Sequence, residues 1–360
     1  MDLAAARALH DETPAIDLHA DTPKLMVAVG YDLARRHTPP LPRAAWVGHV
    51  DLPRMREGGG AAQMFGMWTF PRPRRGCAES VHRQLDSLHA AAAEHPGELA
   101  FCRTPDEIAA ARRTGRIAAL ASIEGAHALE GRLERIEEFA RRGVRSLGLL
   151  HFSANELGRP ARGLGRDDTQ GLTALGRDAV AELERVGVLL DLAHINRKGF
   201  FDALAAGRAP PMVTHAGVAG VFAHWRNLDD EQLRAIADRG GVVGVIFAPR
   251  YLGADGIDAV VAHLCHIGSV CGWETPALGS DYDGMVRPPR GLEDVSALPR
   301  LTAALLARGV ARADVARLLG LNVLRVLRAV PPRVPFEPGR RAAGNTADTG
   351  DVGAVSSPRG

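Results

Sequence analysis

Eight short apolar runs bounded by glycine, proline or aspartate recur along the 360-residue chain, and they constrain its fold more than any other feature. Their composition predicts strands at 14–19, 60–68, 116–123, 144–151, 187–194, 211–215, 241–247 and 276–281. Helical patterns lie between them, most clearly at 173–186 and 229–239, which open on the N-cap residues Thr173 and Asp229. Because the runs lack polar alternation, they suit strands that are buried on both faces of a parallel sheet. We therefore predict a TIM-like (β/α)8 barrel of the α/β class, with an open doubly wound sheet as the alternative.

The barrel should occupy nearly the whole chain as one domain, residues 1–330. Two further helical patterns lie between Val295 and Arg328, and these additional C-terminal helices are expected to pack under the barrel. Residues 331–360 are rich in proline, glycine and polar side chains and contain few bulky apolar ones, so they are predicted to be a disordered tail.

Charge and composition limit the kinds of partner. The 44 basic and 42 acidic residues give a formal charge of only +2, so nothing draws the chain to nucleic acid or to an anionic membrane. The first residues lack the pattern of a signal peptide, and no apolar stretch has the length of a membrane span. We therefore expect a cytoplasmic protein that acts on a small molecule.

The predicted strands end in residues that bind metals. His19 and Asp21 close the first strand, and their spacing of two places both side chains on one face, where they can bind one divalent ion. Metal-type residues also end the third, fifth and sixth strands: Glu124 and His127, Asp191 and His194, and His215. Because barrel enzymes carry their reactive groups at the carboxyl ends of strands, these residues predict two metal ions, bridged by Glu124.

Two further strand ends carry groups suited to catalysis. The fourth strand ends with His151, and the eighth is followed by Asp281 and Asp283. A carboxylate beside a metal-bound water can take a proton from that water and pass it to the leaving amine. We assign this role to Asp281 because it lies nearer the strand end than Asp283.

At these residues the sequence resembles the membrane dipeptidases, the renal dipeptidase-like peptidase family M19 of the metal-dependent amidohydrolases. The resemblance extends from about Ala15 to Leu327. The motifs that carry the resemblance include IDLHAD, HVDLPRMREGGGAAQMF, SIEGAH, LLHFSANELG, VTHAGVAGV, RNLDDEQLRAIADRGGVVGV and GSDYDG. Several of them are long, and they occur in the expected order.

The resemblance implies a zinc-dependent dipeptidase with two zinc ions per chain. His19 and Asp21 would bind one zinc, His194 and His215 the other, and Glu124 would bridge them. His151 would polarise the scissile carbonyl of the dipeptide, with Asp281 as the acid/base group. Arg226, which strand-end reasoning alone does not single out, would bind the substrate's free carboxylate. A homodimer is a further expectation from the family.

Some features depart from the family pattern and leave rival functions open. After His215 the sequence reads Ala216-Gly217, whereas the best-known dipeptidases have a sequence resembling SHS at this place. The loop after His151 also differs from the tryptophan-containing loop that is common in animal enzymes. These departures concern substrate preference. One rival is a related binuclear hydrolase of another amide, lactam or lactone, or of a dipeptide unit in a secondary metabolite. The other is a barrel that has lost catalysis and serves as a scaffold.

Overall fold

The computed structural model describes residues 2–37, 45–69 and 75–339 and contains a parallel barrel wrapped by helices. The strands are β1 (Ala15–Ala20), β2 (Gly60–Trp68), β3 (Leu99–Phe101), β4 (Ile117–Glu124), β5 (Val144–Gly148), β6 (Leu189–Asp191), β7 (Met212–Ala216), β8 (Val242–Val245) and β9 (Pro276–Leu278). The helices are α1 (Leu3–Glu12), α2 (Thr22–Val29), α3 (Leu52–Glu57), α4 (Cys77–Glu94), α5 (Pro105–Arg113), α6 (Glu134–Arg141), α7 (Ala174–Val186), α8 (Arg197–Ala206), α9 (Asp230–Asp238), α10 (Pro249–Leu252), α11 (Ile257–Cys271), α12 (Leu298–Ala307), α13 (Arg312–Ala316) and α14 (Asn322–Ala329).

The pairing of β2 with β4 closes the sheet into a barrel. Residues 62–68 of β2 run parallel to residues 118–124 of β4, and the remaining strands follow in the order β1, β9, β8, β7, β6, β5 back to β4. Eight parallel strands therefore form the closed barrel, which confirms the predicted TIM-like fold and excludes the open sheet.

The predicted strands are all present, but several end earlier than the sequence indicated. The fourth ends at Gly148, the fifth at Asp191 and the eighth at Leu278. The backbone of two of these segments then adopts left-handed conformations, with φ of 64° at His194 and 62° at Asp281, which are incompatible with an extended strand. The ninth strand, β3, was not predicted.

Cap residues account for the clearest helices. The Thr173 side chain accepts a hydrogen bond from the Gly176 N–H at the start of α7, as predicted. Asp229 opens α9 in a capping box with Gln232, which satisfies backbone donors at both positions. Among the described residues, no helix combines the length and apolar character needed to cross a membrane.

The barrel interior is filled with apolar side chains at its amino-terminal end. Ile16, Met64 and Leu120 from three strands join Val323 and Val326 of α14 in one buried cluster. The C-terminal helices therefore pack under the barrel, as expected. The opposite end, where the strands run out into loops, is the end at which barrel enzymes carry their reactive groups.

The predicted disorder does not begin at residue 331. Arg333 donates its N–H to the Val186 carbonyl at 3.0 Å, and the Phe336 ring stacks on Phe101 with centroids 5.6 Å apart. Residues 331–339 therefore pack on the barrel, because one aromatic ring and a few backbone hydrogen bonds are enough to hold a proline-rich segment. Residues 340–360 lie outside the described residues.

Candidate metal centre

The side chains of five predicted metal ligands converge at the carboxyl end of the barrel. Glu124 Oε1 lies 2.8 Å from His194 Nε2, 3.3 Å from His215 Nε2 and 3.7 Å from His19 Nε2. His19 Nε2 lies 3.2 Å from Asp21 Oδ1. All five side chains are buried. The carboxylate of Glu124 thus stands between the pair His19 and Asp21 and the pair His194 and His215.

These donors form overlapping groups suited to metal ions. One group is His19, Asp21 and Glu124, and a second is Glu124, His194 and His215; within each, the ligand atoms lie within 4.8 Å of one another. Asp281 forms a third such group with His19 and His215. The sharing of Glu124 between the first two groups is what a bridging carboxylate requires.

Three observations fit a bound cation. The buried atoms His19 Nε2, Asp21 Oδ1 and Glu124 Oε2 have no hydrogen-bond partner, although buried polar atoms almost always have one. Asp21 is the N-cap residue of α2, yet its carboxylate does not cap the helix. At Gly66 of β2, a Cβ would lie 2.6 Å from His19 Cε1 and 2.8 Å from Asp21 Oδ1, so glycine keeps this space clear.

The carboxylates around His19 make the field at that residue negative. Burial alone would lower the pKa of His19, but Glu124, Asp21 and Asp281 raise it to about 10. Burial, with Glu124, raises the pKa of Asp21 to about 7. Three carboxylates crowded in a buried space hold a proton where a divalent ion would otherwise neutralise them.

Asp191, which also ends a strand, belongs to none of the candidate metal groups found among the described residues. It instead supports His215, one of the predicted ligands, through Thr214. Its Oδ2 accepts the Thr214 hydroxyl hydrogen at 2.6 Å, and Thr214 Oγ1 lies 3.0 Å from His215 Nδ1. Since the hydroxyl has one hydrogen, Thr214 accepts from His215 Nδ1–H, which leaves the Nε2 lone pair of His215 facing Glu124. This is the tautomer that a metal-binding histidine needs.

Asp17, which sequence reasoning missed, performs a similar structural task. Its carboxylate accepts the Ser280 N–H at 2.8 Å and the Ser280 hydroxyl at 2.5 Å. This joins the middle of β1, two residues before His19, to the residue that precedes Asp281. The signal available in the sequence was an acidic residue inside an apolar strand.

His127 does not join the metal ligands. Its Nε2 lies 2.9 Å from Ser153 Oγ, on the loop that follows His151. It therefore braces that loop.

His151 lies beside the ligands and faces the cavity, with its Nε2 3.6 Å from Glu124 Oε2. Burial lowers its pKa, which favours the neutral ring. Its ring meets the His194 ring edge to face at 4.7 Å.

Asp281 and Asp283 have different environments. Asp281 Oδ1 lies 3.9 Å from His19 Nε2 and lines the cavity, and burial raises the pKa of its carboxyl well above the usual range. Asp283 is buried, and its oxygens accept hydrogen bonds from Gly48 N, His49 N and the Thr22 hydroxyl. Of the two carboxyl groups, Asp281 faces the cavity, whereas Asp283 is occupied by structural hydrogen bonds; the catalytic role of Asp281 stays a prediction.

The backbone at this end of the barrel is strained where the site is formed. Five non-glycine residues of the described chain have positive φ, and four of them are His194, Asp281, Asp283 and Met285. Such conformations are uncommon for residues with a Cβ and concentrate at functional sites.

Arg226 enters the same cavity from the loop after β7. Its Nη2 donates to the His215 carbonyl at 2.5 Å and lies 3.3 Å from His194 Nε2. The residue is buried, and within the described residues no carboxylate forms an ion pair with it, although Asp281 and Glu124 act on its charge from a longer distance. A buried guanidinium without an acidic partner is costly, and an anionic group of a ligand would compensate it.

The cavity that joins these groups has a volume of about 340 Å³. Trp68, Phe152 and Tyr251 line it together with Asp21, Glu124, His194 and His215 and with His151, Arg226 and Asp281. Its size is near the lower end of small-molecule sites, which are roughly 300–1,000 Å³. The site can therefore take a short substrate that carries an anionic end.

Comparison with known proteins agrees with this arrangement. The family model described as membrane dipeptidase, peptidase family M19, matches residues 3–332. Dipeptidase tcpJ of Claviceps purpurea is 32% identical over 296 residues, which cover 79% of this chain and 69% of that protein. The uncharacterized dipeptidase C965.12 of Schizosaccharomyces pombe is 32% identical over 297 residues, covering 77% and 71%.

A solved structure shares the fold. The metallo peptidase from Rhodobacter sphaeroides, liganded with a phosphinate mimic of the dipeptide L-Ala-D-Ala, superposes with a TM-score of 0.77 at 28% identity. The match covers 89% of this chain and 99% of that one.

Proposed function

The chain belongs to the membrane dipeptidase family, peptidase family M19, and is a metallo-dipeptidase by that membership; from this premise we propose that it hydrolyses free dipeptides with two zinc ions bound at the barrel mouth. The observation that carries the proposal is the convergence of two metal-binding groups that share Glu124. Histidine nitrogens and carboxylate oxygens are donors that zinc accepts.

The proposed ligand set follows the two sides of Glu124. His19 and Asp21 would hold one ion, His194 and His215 would hold the other, and Glu124 would contribute to both. Bound there, the ions would supply a water acidified toward neutral pH and would polarise the peptide carbonyl.

The remaining groups orient the dipeptide and move its proton. Neutral His151 donates a hydrogen bond to the carbonyl oxygen as negative charge develops on it, a kind of contact worth about 3 kcal/mol. Asp281 takes the proton from the attacking water and delivers it to the departing amine nitrogen. Arg226 binds the C-terminal carboxylate, which holds the peptide bond against the ligands and leaves little room for a longer chain.

Metal analysis combined with a substrate panel tests this proposal. Protein purified without chelator and supplied with zinc should bind about two ions per chain, and activity should rise with the second. Glu124→Gln should lose both ions and the activity, whereas Glu94→Gln, at an exposed glutamate at the end of α4, should keep them. One ion or none in the wild-type protein would contradict the binuclear site.

The panel distinguishes the rival functions. It should contain free dipeptides, their C-terminal amides, tripeptides, lactams and lactones. Cleavage of lactams or lactones in preference to dipeptides would favour the related hydrolase. Tight zinc binding without turnover of any substrate would favour the scaffold. The homodimer and the cytoplasmic location stay predictions.

A further inference from the structure

A second, more apolar cavity adjoins the metal cavity and has no part in the chemistry described above. It has a volume of about 340 Å³. We call it the side pocket. Its walls combine the apolar or aromatic residues Trp46, Ala248, Pro249, Tyr251, Met285 and Val286 with the charged residues Arg250, Asp255 and Arg287. The loops after β8 and β9 supply most of these residues, and Trp46 comes from the segment that precedes α3.

The side pocket and the metal cavity share part of their lining. Tyr251, Met285 and Val286, with Arg250, contribute to both. A substrate bound over the metals can therefore extend a side chain across these residues into the side pocket. Trp46, by contrast, lines the side pocket alone.

Large apolar side chains are exposed at this pocket. Trp46 is 45% exposed and Met285 is 62% exposed. Single exposed apolar residues are common, but two that line one concave cavity beside an active site form a binding surface. An apolar side chain of a ligand would remove both from water.

The wall that carries Trp46 is held in place by buried hydrogen bonds. Asp283 Oδ1 accepts from Gly48 N and from His49 N, each at 2.7 Å. Arg54 Nη2 donates to the Gly48 carbonyl at 2.7 Å. Trp46 lies two residues before Gly48, so these contacts hold the backbone beside it. A wall fixed in this way can discriminate between side chains of different size.

The position of Arg226 indicates which substrate residue the pocket receives. Trp225, its neighbour in the chain, has its ring 5.9 Å from the ring of Tyr251. If Arg226 binds the C-terminal carboxylate, the residue that carries this carboxylate lies next to Tyr251. The N-terminal residue then lies toward Trp68, which lines the cavity from β2, four strands from β7 in the closed barrel.

We propose that the side pocket is a specificity site for the side chain of the C-terminal residue, so that the enzyme prefers dipeptides ending in a large apolar or aromatic residue. The inference rests on the proposed function. Burial of a leucine or phenylalanine side chain should raise kcat/KM about tenfold to a hundredfold over alanine at this position. The same side chain at the N-terminal position should bring no such gain.

Steady-state kinetics of the zinc-loaded enzyme on Ala-Ala, Ala-Leu, Ala-Phe, Leu-Ala and Phe-Ala test the inference, with both configurations of the C-terminal residue. We expect Ala-Phe and Ala-Leu to exceed Ala-Ala by the stated factor. Trp46→Ala should remove most of this preference while kcat/KM for Ala-Ala changes less than about twofold. Trp46→Phe should retain most of the preference, because an aromatic wall remains.

The matched control is Leu321→Ala, at a residue that is 43% exposed but lies near the amino-terminal end of the barrel, next to Gly320, which packs on Pro14 and Ile16. This variant should keep the wild-type preference. Equal rates on Ala-Ala and Ala-Phe, a preference unchanged in Trp46→Ala, or a gain for Phe-Ala instead of Ala-Phe would each overturn the inference. Failure to cleave any dipeptide would overturn the proposed function itself, and with it the inference.

Discussion

If the proposed binuclear site is correct, replacing Gly66 with alanine should cost the protein the metal ion held by His19 and Asp21. The added Cβ would lie 2.6 Å from His19 Cε1 and 2.9 Å from His19 Nε2. To restore an ordinary contact of 3.4 Å, the imidazole would have to retreat by about 0.8 Å. It has little room to do so, because its ring stacks on that of His215 with centroids 4.0 Å apart.

The size of this displacement sets the expected effect. Metal–ligand distances tolerate only about 0.2 Å, so a shift of about 0.8 Å takes His19 out of bonding range of an ion held by Asp21 and Glu124. We expect the affinity of this site for zinc to fall about a hundredfold, and kcat/KM with it. Overpacking of the barrel wall should lower the free energy of unfolding by roughly 1–3 kcal/mol.

Zinc titration of the apoprotein, followed by kinetics and chemical denaturation, measures all three quantities. Gly148→Ala is the matched control in β5, because its Cβ would meet its nearest neighbours at ordinary distances of 3.4–3.6 Å. The control should bind two zinc ions and keep most of the activity. A Gly66→Ala enzyme with two tightly bound ions and wild-type kcat/KM would refute the assignment of His19 as a ligand.

Asp281→Asn should keep both metals but lower kcat by about 10²-fold or more, since the proton carrier is lost; loss of zinc in this variant would make Asp281 a ligand. Arg226→Ala should weaken cleavage of free dipeptides about tenfold to a hundredfold, mainly through KM, with metal content unchanged. The wild-type enzyme should disfavour dipeptide amides by the same factor and the variant should not, whereas equal wild-type rates on acid and amide would remove Arg226 from the site. Phe336→Ala should lower the free energy of unfolding by about 1–2 kcal/mol through loss of its stacking on Phe101, and an unchanged denaturation midpoint would refute that contribution.

Local patterns of the sequence are enough to predict the fold and most residues of the candidate metal centre. Uninterrupted apolar runs indicate strands buried on both faces, and the period between them indicates helices, so the barrel could be predicted without coordinates. His19, Glu124, His194 and His215 could be named because strand ends of a parallel barrel meet at one rim. Arg226 came only from the resemblance, since a loop arginine carries no local signal.

Only the tertiary structure sets the distances between side chains and the backbone conformations, because no local pattern encodes them. The pairing of β2 with β4 closes the barrel and brings Glu124 between two pairs of ligands. Packing imposes the left-handed backbone at His194 and Asp281 that shortens their strands and turns these residues to the cavity. The placing of Arg226 in the cavity without an ion-pair partner among the described residues, and the side pocket formed with Trp46, likewise depend on contacts between residues remote in sequence. Periodicity reports which faces are buried, but the position of a side chain within a site is set by the whole fold around it.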